Sequence, residues 1–558
     1  MVFFFPLFST VVDELVIQNA AIKLEADYEE CVRVLPYPQN GEVEIHVYFY
    51  SDDSGIPTGL NNAAQALFGQ KGWKLRWKDL YNDAFNLLKA TRIKYPSGRP
   101  NRLKASQVDE IDEIINKHLH DFCKHRNVTA VYPSFKVTNS VQTQEACIAV
   151  YVLGKGQIPL FESLIPATIG SYPVDVVNGF FVWTNDPYKP IKEAHEQQEF
   201  LQLGASIGVK GKQSSGTLGA IVKDEESGTL YALSCNHVLK DAQEKNIIHP
   251  GLDVYLNYLH FNLNDYKGEI AKVLGSSVKL PQSPTDEPPQ FSVGVLKTKL
   301  ETWFRELKAI KEQNLASVVP PVSAYTENQI ATYEKKLEIA FHQEPRVIAD
   351  YIAGVTSNIQ LKMANGREHF IDVAVAKLRE NEVQNLRAQR KVRIIETSHY
   401  PSGECLQATA EVNNLFKSGS ATGFTKTNRL AEEVLNRRTY IRGEGRGNWI
   451  DVECIRCNET GPAQSARCDM CTPHGWLKRC LCIPDKGGQL FSCKGDSGAV
   501  IFEKHQDEPA SPGFAIIFGT LDTTHHMFAI ASPLQFALNG LSKEVGESCQ
   551  LTLVSEFK

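Results

Sequence analysis

The chain has 558 residues, of which 42% are hydrophobic and 22% are charged. This composition is typical of globular proteins and excludes a largely disordered chain. The formal net charge is −6, so bulk charge does not indicate a nucleic-acid partner. The length predicts about three to four structural units of ~150 residues. No apolar run approaches the ~18 residues of a membrane span, so we expect no membrane partner.

The first third, residues 1–190, predicts an α+β region of one or two small units. Residues 43–50 alternate between apolar and polar side chains, which predicts a strand, and residues 146–153 predict a second one. Apolar residues recur at helical spacing over 106–123. The region carries no recognisable chemistry, so we expect it to have a regulatory role or to recruit a protein partner. Residues 191–203 predict a linker.

From residue 204 to about 545 the sequence predicts a mainly β domain. Short runs rich in β-branched residues alternate with glycines and polar turns, which is typical of sandwiches and barrels. Two inserts interrupt this pattern. One, at about 297–343, has helical spacing and predicts a helical hairpin, and the other, at about 425–488, is rich in cysteine. Residues 546–558 form a C-terminal tail.

The cysteines are clustered rather than spread along the chain. There are 13, an odd number, and six of them fall between Cys454 and Cys482. This distribution favours a reducing compartment with a local metal site over a disulfide-stapled secreted scaffold. The apolar N-terminal residues 1–8 lack the basic segment that begins a secretory signal. We therefore expect a cytoplasmic protein.

Two C-x₂-C pairs within the cysteine cluster predict a structural zinc site. The four candidate ligands are Cys454, Cys457, Cys468 and Cys471. Four thiolates fill the tetrahedral coordination of Zn²⁺ and leave no open position for catalysis. His474, Cys480 and Cys482 lie close by in sequence and could replace one ligand or build a second site. Disulfides or a redox-sensitive loop remain the alternative interpretation of the cluster.

Three distant segments together predict acyl transfer by a serine hydroxyl. That chemistry needs a base to take the hydroxyl proton, a carboxylate to orient the base, and N–H groups to receive an oxyanion. His237 is the candidate base, Asp372 the carboxylate and Ser497 the nucleophile. The N–H groups of Gly495 and Ser497 are the candidate oxyanion donors. Asp253, which closely follows His237, is the rival carboxylate and is expected to lie in a turn.

The segments Ser-Cys-Asn-His237-Val, Asp372-Val-Ala-Val-Ala and Gly495-Asp-Ser-Gly resemble those of chymotrypsin-like serine proteases, in the same chain order. The hairpin that begins at Lys417 resembles one in the second barrel of bacterial-type and plant members. The resemblance spans about 204–545 and implies a trypsin-like double β-barrel with the triad between the barrels. It is closer to intracellular and bacterial-type members than to secreted digestive enzymes.

The sequence departs from that family at the substrate pocket. Phe491 occupies the position of the pocket floor, where an Asp would select Arg or Lys, so the resemblance implies a non-tryptic specificity. In secreted relatives the counterpart of Asp496 pairs with an N-terminus freed by cleavage. No obvious basic cleavage site precedes Gly204, so we expect activity without such processing.

The function predicted from the sequence is therefore that of a serine endopeptidase. A protein or peptide is its substrate, and no cofactor is required for the chemistry. The alternative is a catalytically silent interaction or scaffold protein that keeps a protease fold. A zinc-dependent hydrolase is disfavoured because no His-Glu-x-x-His motif is present.

Overall fold

A computed structural model is the basis of the description that follows. It describes residues 14–28, 31–40, 42–49, 56–80, 103–123, 125–183, 198, 200–212, 215–240, 246–274, 278–283, 293–315, 324–342, 345–360, 368–395, 397–406, 414–427, 438–442, 476–484, 491–493, 495–504, 509–523, 527–546 and 548–557.

Runs of consecutive strands, separated by helices, make up the described parts of the chain. The strands are β1 (Cys31–Gln39), β2 (Glu42–Phe49), β3 (Lys74–Asp79), β4 (Val128–Thr138), β5 (Val141–Val152), β6 (Thr168–Ile169), β7 (Tyr172–Trp183), β8 (Ser206–Val209), β9 (Ser215–Thr217), β10 (Ala220–Asp224), β11 (Leu230–Ser234), β12 (Asn246–His249), β13 (Arg346–Gln360), β14 (Glu368–Leu378), β15 (Tyr400–Cys405), β16 (Leu415–Gly419), β17 (Gly423–Lys426), β18 (Arg438–Arg442), β19 (Trp476–Pro484), β20 (Val500–Glu503), β21 (Ala510–Thr523), β22 (Met527–Pro533) and β23 (Leu551–Leu553). The helices are α1 (Glu14–Asp27), α2 (Thr58–Leu67), α3 (Ala105–Cys123), α4 (Asn236–Leu239), α5 (Leu252–Leu274), α6 (Val293–Leu315), α7 (Ala324–His342), α8 (Glu380–Gln389) and α9 (Leu534–Val545), with a 3₁₀ turn at Gly69–Lys71.

The protein is mainly β with several sheets, which confirms the fold class at that level. Within the described residues a small sheet has the order β1-β2-β3, and an eight-stranded sheet has the order β23-β10-β11-β14-β13-β12-β8-β9. The largest sheet has the order β17-β16-β20-β21-β22-β19-β18-β4-β5-β7-β6, with β15 pairing alongside β21. The eight-stranded sheet contains Asp372 in β14, His237 follows its strand β11, and Ser497 lies just before β20 of the largest sheet.

Part of the largest sheet closes into a ring, in which strands from residues 128–183 pair with strands from the C-terminal part of the chain. Strand β4 pairs with β18 from the C-terminal part, and β7 pairs with the second half of β21. The side chains of Tyr151, Phe181 and Phe518 lie in one hydrophobic core. The N-terminal strands therefore share hydrogen bonds and core with the C-terminal part, because their edges pair with strands far away in sequence.

The predicted elements of the first third are present. The strand predicted over 43–50 is β2, the helix over 106–123 is α3, and the strand over 146–153 is β5. Residues 14–80 pack a core around Ile17, Ile45 and Phe68, and a smaller core joins Tyr37 of β1 with Phe180 of β7.

The two predicted helices of the insert are α6 and α7, and the structure adds a third, α5, which begins well before residue 297. The three helices bury a separate core that includes Leu259, Trp303 and Leu337. Leu256, Leu259, Leu263 and Ile270 repeat at helical spacing within α5, so the signal for this helix was present in the sequence.

Three segments predicted to be peripheral contain parts of the core. Leu201 and Leu203, at the end of the predicted linker, are each 1% exposed. In the predicted tail, β23 pairs with β10. Within 425–488, β18 and β19 belong to the largest sheet.

None of the helices in the described ranges combines the length and the apolar character that a membrane crossing requires.

Candidate active site

The three candidate catalytic residues lie on different elements. His237 lies in the short helix α4, directly after β11, and Ser497 lies in the turn before β20. Asp372 lies inside β14 opposite Thr356 of β13 rather than at a strand end, where the sequence placed it. A residue inside a paired strand has a fixed backbone, so this position holds the carboxylate more rigidly than a strand end would.

The structure brings these three side chains into hydrogen-bond contact. Nδ1 of His237 contacts Oδ2 of Asp372, and Nε2 of His237 lies 2.9 Å from Oγ of Ser497. Because a carboxylate only accepts, Nδ1 carries the proton, and Nε2 of the neutral ring is then free to accept from the serine hydroxyl. His237 is 8% exposed, and Asp372 and Ser497 are 0% exposed. The arrangement can move a proton from Ser497 to His237.

A chain of polar groups holds Asp372 in place. Its Oδ1 accepts hydrogen bonds from the hydroxyl of Thr356 at 2.8 Å and from the backbone N–H of His237 at 3.2 Å. The amide of Asn236 donates to the same threonine hydroxyl, and its oxygen accepts from Tyr351. A buried carboxylate is tolerated only when its oxygens are paired in this way. Burial and the neighbouring Asp372 raise the pKa of Tyr351, which keeps it a donor.

The backbone around Ser497 is tied to strand β9 of the other sheet. The carbonyl of Ser497 accepts from the N–H of Thr217 at 2.7 Å. The carbonyl of Gly495 accepts from the hydroxyls of Thr217 at 3.0 Å and Ser420 at 2.6 Å. These contacts orient the peptides on both sides of the nucleophile. The oxyanion role of the Gly495 and Ser497 N–H groups stays a prediction.

Gly498 is required by both its conformation and its surroundings. Its φ of 93° lies in the left-handed region that favours glycine. A Cβ at this position would lie 2.2 Å from Oγ of Ser234 and 2.5 Å from the carbonyl oxygen of Thr217. The turn that presents Ser497 therefore admits no side chain immediately after this serine.

Phe491 lies in an apolar core. It is 2% exposed and packs in a cluster with residues such as Leu415, Ile483 and Ile517. Its carbonyl accepts a hydrogen bond from the hydroxyl of Thr425 at 2.8 Å. Its role as a pocket residue stays a prediction.

Cys235 lies beside the triad and creates a group that could hold a metal ion. The ligand atoms of Cys235, His237 and Asp372 lie within 4.8 Å of one another. In the observed arrangement, however, the Cys235 thiol donates to the carbonyl of Ile517 at 3.0 Å. Burial, and then the charge of Asp372, raise the pKa of this thiol. A thiol held in its protonated form is a poor metal ligand.

The four predicted zinc ligands, Cys454, Cys457, Cys468 and Cys471, lie outside the described residues, as does His474. Cys480 and Cys482 lie in β19, and both side chains are part of the main hydrophobic core. Burial raises the pKa of the Cys480 thiol, which disfavours the thiolate that zinc needs. The structure thus places these two cysteines in the core rather than in a metal loop.

The rival carboxylate, Asp253, lies near the start of helix α5 rather than in the turn that the sequence suggested. Sequence reasoning did not assign a role to Thr217, Thr356 or Ser420. Thr217 and Thr356 are common residue types without a motif, and their contacts depend on strand pairing between distant segments. Ser420 lies in the hairpin that begins at Lys417, whose resemblance to a family hairpin was the available signal.

Comparison of the sequence with family models and with curated proteins finds no match in either case.

Proposed function

We propose that the protein is a serine endopeptidase with a trypsin-like double barrel formed by the eight-stranded sheet and the C-terminal part of the largest sheet. One observation carries the proposal, namely the continuous contact from Asp372 through His237 to Ser497. The residues come from distant parts of the chain, and their order, His-Asp-Ser, is that of chymotrypsin-like proteases rather than that of subtilisin or the α/β-hydrolases. Thr356 and Thr217, both in the eight-stranded sheet, hold Asp372 and the backbone of Ser497 in this arrangement.

In the proposed reaction, Oγ of Ser497 attacks the carbonyl carbon of a peptide bond while Nε2 of His237 takes the hydroxyl proton. The carbonyl oxygen becomes an oxyanion that the N–H groups of Gly495 and Ser497 stabilise. The C–N bond then breaks, and His237 returns the proton to the leaving amine. Water, deprotonated by His237, hydrolyses the acyl-enzyme, releases the acid and restores Ser497. Asp372 stays ionised and stabilises the imidazolium throughout.

The proposed substrate is a protein or peptide with an apolar residue before the cut. Phe491 supports this preference, because a buried aromatic ring in an apolar cluster offers no charge to a basic side chain. The N-terminal residues 14–80 have a sheet and core of their own, which suits recruitment of a protein partner.

We propose no cofactor for the chemistry and a structural zinc ion on the four clustered cysteines. Their donor set, two C-x₂-C pairs, matches the ligands that zinc prefers. The thiols of Cys235, Cys405, Cys480 and Cys549 are free, which supports a reducing, cytoplasmic location. Measuring bound zinc before and after chelation tests the metal site.

A fluorophosphonate probe tests the enzyme directly, because it labels only an activated serine. We expect covalent labelling of the purified chain that disappears in Ser497→Ala. Ser492→Ala is a matched control, because Ser492 is also a buried serine, 2% exposed, close to the nucleophile in sequence. Asp372→Asn should lower the labelling rate by about 10⁴-fold through loss of the correct imidazole tautomer. Equal labelling of wild type and Ser497→Ala contradicts the proposal.

A silent interaction protein is the second candidate function. It is favoured by one observation, the 0% exposure of Ser497, which leaves the nucleophile no accessible surface in this structure. For this candidate we expect a folded chain that no fluorophosphonate labels, with or without added peptides. Labelling at Ser497 excludes it.

A further inference from the structure

The acidic residue next to the nucleophile has a buried cationic partner on a neighbouring hairpin. Asp496 lies between Gly495 and Ser497, and its side chain is 0% exposed. Oδ2 of Asp496 lies 2.8 Å from Nζ of Lys417, whose side chain is also 0% exposed. A buried charge without a partner is costly, so each of these two groups depends on the other.

Asp496 also receives backbone and hydroxyl donors from two segments. Its Oδ1 accepts from the N–H groups of Ala421 at 3.0 Å and Thr422 at 3.2 Å. Its Oδ2 accepts from the Thr422 hydroxyl at 2.6 Å and from the N–H of Cys493 at 3.1 Å. The carboxylate therefore joins the β16–β17 turn to the backbone just before Ser497, with the Lys417 ammonium as its counter-ion.

Lys417 is enclosed in this packing, with its side chain 0% exposed. It contacts the Thr422 hydroxyl and lies 3.5 Å from the carbonyl of Gly423. A Cβ on Gly419 would lie 2.1 Å from Oδ1 of Asp496 and 2.9 Å from Nζ of Lys417. The close approach of strand and carboxylate thus requires glycine there.

The segment that leads into β8 is itself held by backbone hydrogen bonds. The N–H of Leu203 donates to the carbonyl of Arg393 at 2.9 Å, and the N–H of Gly204 donates to that of Leu218 at 2.8 Å. Asp496 therefore has its cation in the uncut chain and does not need an N-terminus generated by cleavage.

We infer that Lys417 is a positioning residue, whose ammonium supplies from within the chain the counter-ion that holds residues 495–497 in the conformation needed for catalysis. The inference rests on the proposed function. It implies that the serine centre is assembled in the uncut polypeptide, with an internal lysine in place of any processing step.

The test compares fluorophosphonate labelling of four full-length chains that carry an N-terminal tag, so that no native N-terminus is free. These are the wild type, Lys417→Met, Lys417→Arg and Lys426→Met. Lys426 is the matched control, because it lies on the same hairpin but is exposed. The mass of each labelled species shows whether the chain is intact.

We expect labelling of the intact wild type at Ser497 and an equal rate for Lys426→Met. Lys417→Met should lose about 10²–10³-fold in the maximal labelling rate, because a displaced oxyanion donor has that effect. The probe concentration at half-maximal rate should change little. Lys417→Arg should regain at least part of the rate, since it restores the charge.

A folded Lys417→Met chain labelled at the wild-type rate overturns the inference, as does label found only on chains cut before Gly204. Should Lys417→Met fail to fold, the double variant Lys417→Met/Asp496→Asn removes both buried charges and replaces it. If the double variant folds and is labelled at least about tenfold more slowly than the wild type, the inference is supported. If it is labelled at the wild-type rate, the inference is overturned. If the wild-type chain is not labelled at all, the proposed function fails together with the inference. If the wild type is labelled but Lys417→Met is labelled equally fast, only the inference about Lys417 fails.

Discussion

The helical insert and the second N-terminal segment, residues 103–183, both lie outside the sequence segments that resemble a protease, yet they relate to the serine site differently. The insert buries its own core and enters and leaves the eight-stranded sheet between two paired residues, His249 and Arg346. Residues 103–183 instead supply strands β4, β5 and β7 to the ring that includes β21. A segment close to His237 in sequence is therefore not necessarily connected to the site. Residues 103–183 are connected to it through shared strands and a shared core, although they are farther away in sequence.

A buried ion pair strengthens this difference. Asp112 of α3 is 0% exposed, and its Oδ2 lies 2.9 Å from Nε of Arg479 in β19. The hydroxyl of Tyr440 donates to the same carboxylate at 2.8 Å. Arg479 also donates to the carbonyl of Glu368, at the start of the strand that carries Asp372. The N-terminal helix is thus connected to the strand of the proposed catalytic carboxylate.

The largest effect is expected from removing the N-terminal strands. A chain of residues 198–558 should aggregate, because it exposes the edges of β18 and β21 and the core face of Phe518. A chain of residues 103–558 keeps the ring and should remain soluble. Size-exclusion chromatography and circular dichroism of the two chains measure this difference. A folded, monomeric 198–558 chain contradicts the shared-core interpretation.

Asp112→Asn is the next largest perturbation. It leaves the Arg479 guanidinium buried without its counter-charge, and we expect the free energy of unfolding to fall by about 3–5 kcal/mol. Denaturant titration monitored by tryptophan fluorescence measures it. Glu334→Gln in the insert is the matched control, since Glu334 pairs with two lysines but is 14% exposed, and we expect about 1 kcal/mol or less there. Equal losses in both variants contradict a special role for Asp112.

Leu337→Ala tests whether the insert unfolds by itself. Leu337 is 0% exposed in the insert core, so its truncation should destabilise the three helices by about 2–5 kcal/mol. Fluorophosphonate labelling of Ser497 should stay unchanged, since Leu337 packs in the separate core of the insert. Hydrogen exchange resolved by segment measures the local loss. If amide hydrogen exchange becomes faster in β14 as well as in the three helices, the insert does not unfold by itself and the prediction is wrong.

The smallest effect is expected from deleting the insert altogether. Because His249 and Arg346 are direct partners in an antiparallel pair, an Asn-Gly turn can replace residues 250–345. Labelling of Ser497 should stay within about threefold of the wild type, because the removed residues form a separate core. A loss of labelling with the fold retained shows that the helices support the site.

Much of the candidate site could be predicted because each catalytic segment has a local signal. His237 follows a short apolar segment that is typical of a strand. Ser497 lies between Gly495 and Gly498, and glycine is the residue that a tight turn favours. The supporting residues have no such signal. Thr356 touches Asp372 only because β13 pairs with β14 in one particular register, and a shift of one residue would turn its side chain to the other face.

The sequence by itself determined the mainly β character, helices α3, α6 and α7, and the three residue types needed for acyl transfer, because periodicity and short motifs are local properties of the chain. Only the tertiary structure decided that the N-terminal strands close a ring with the C-terminal ones and that Lys417 meets Asp496. Both depend on which strand edges find each other across hundreds of residues. That choice is made by the packing of the whole core, which no single stretch of sequence contains.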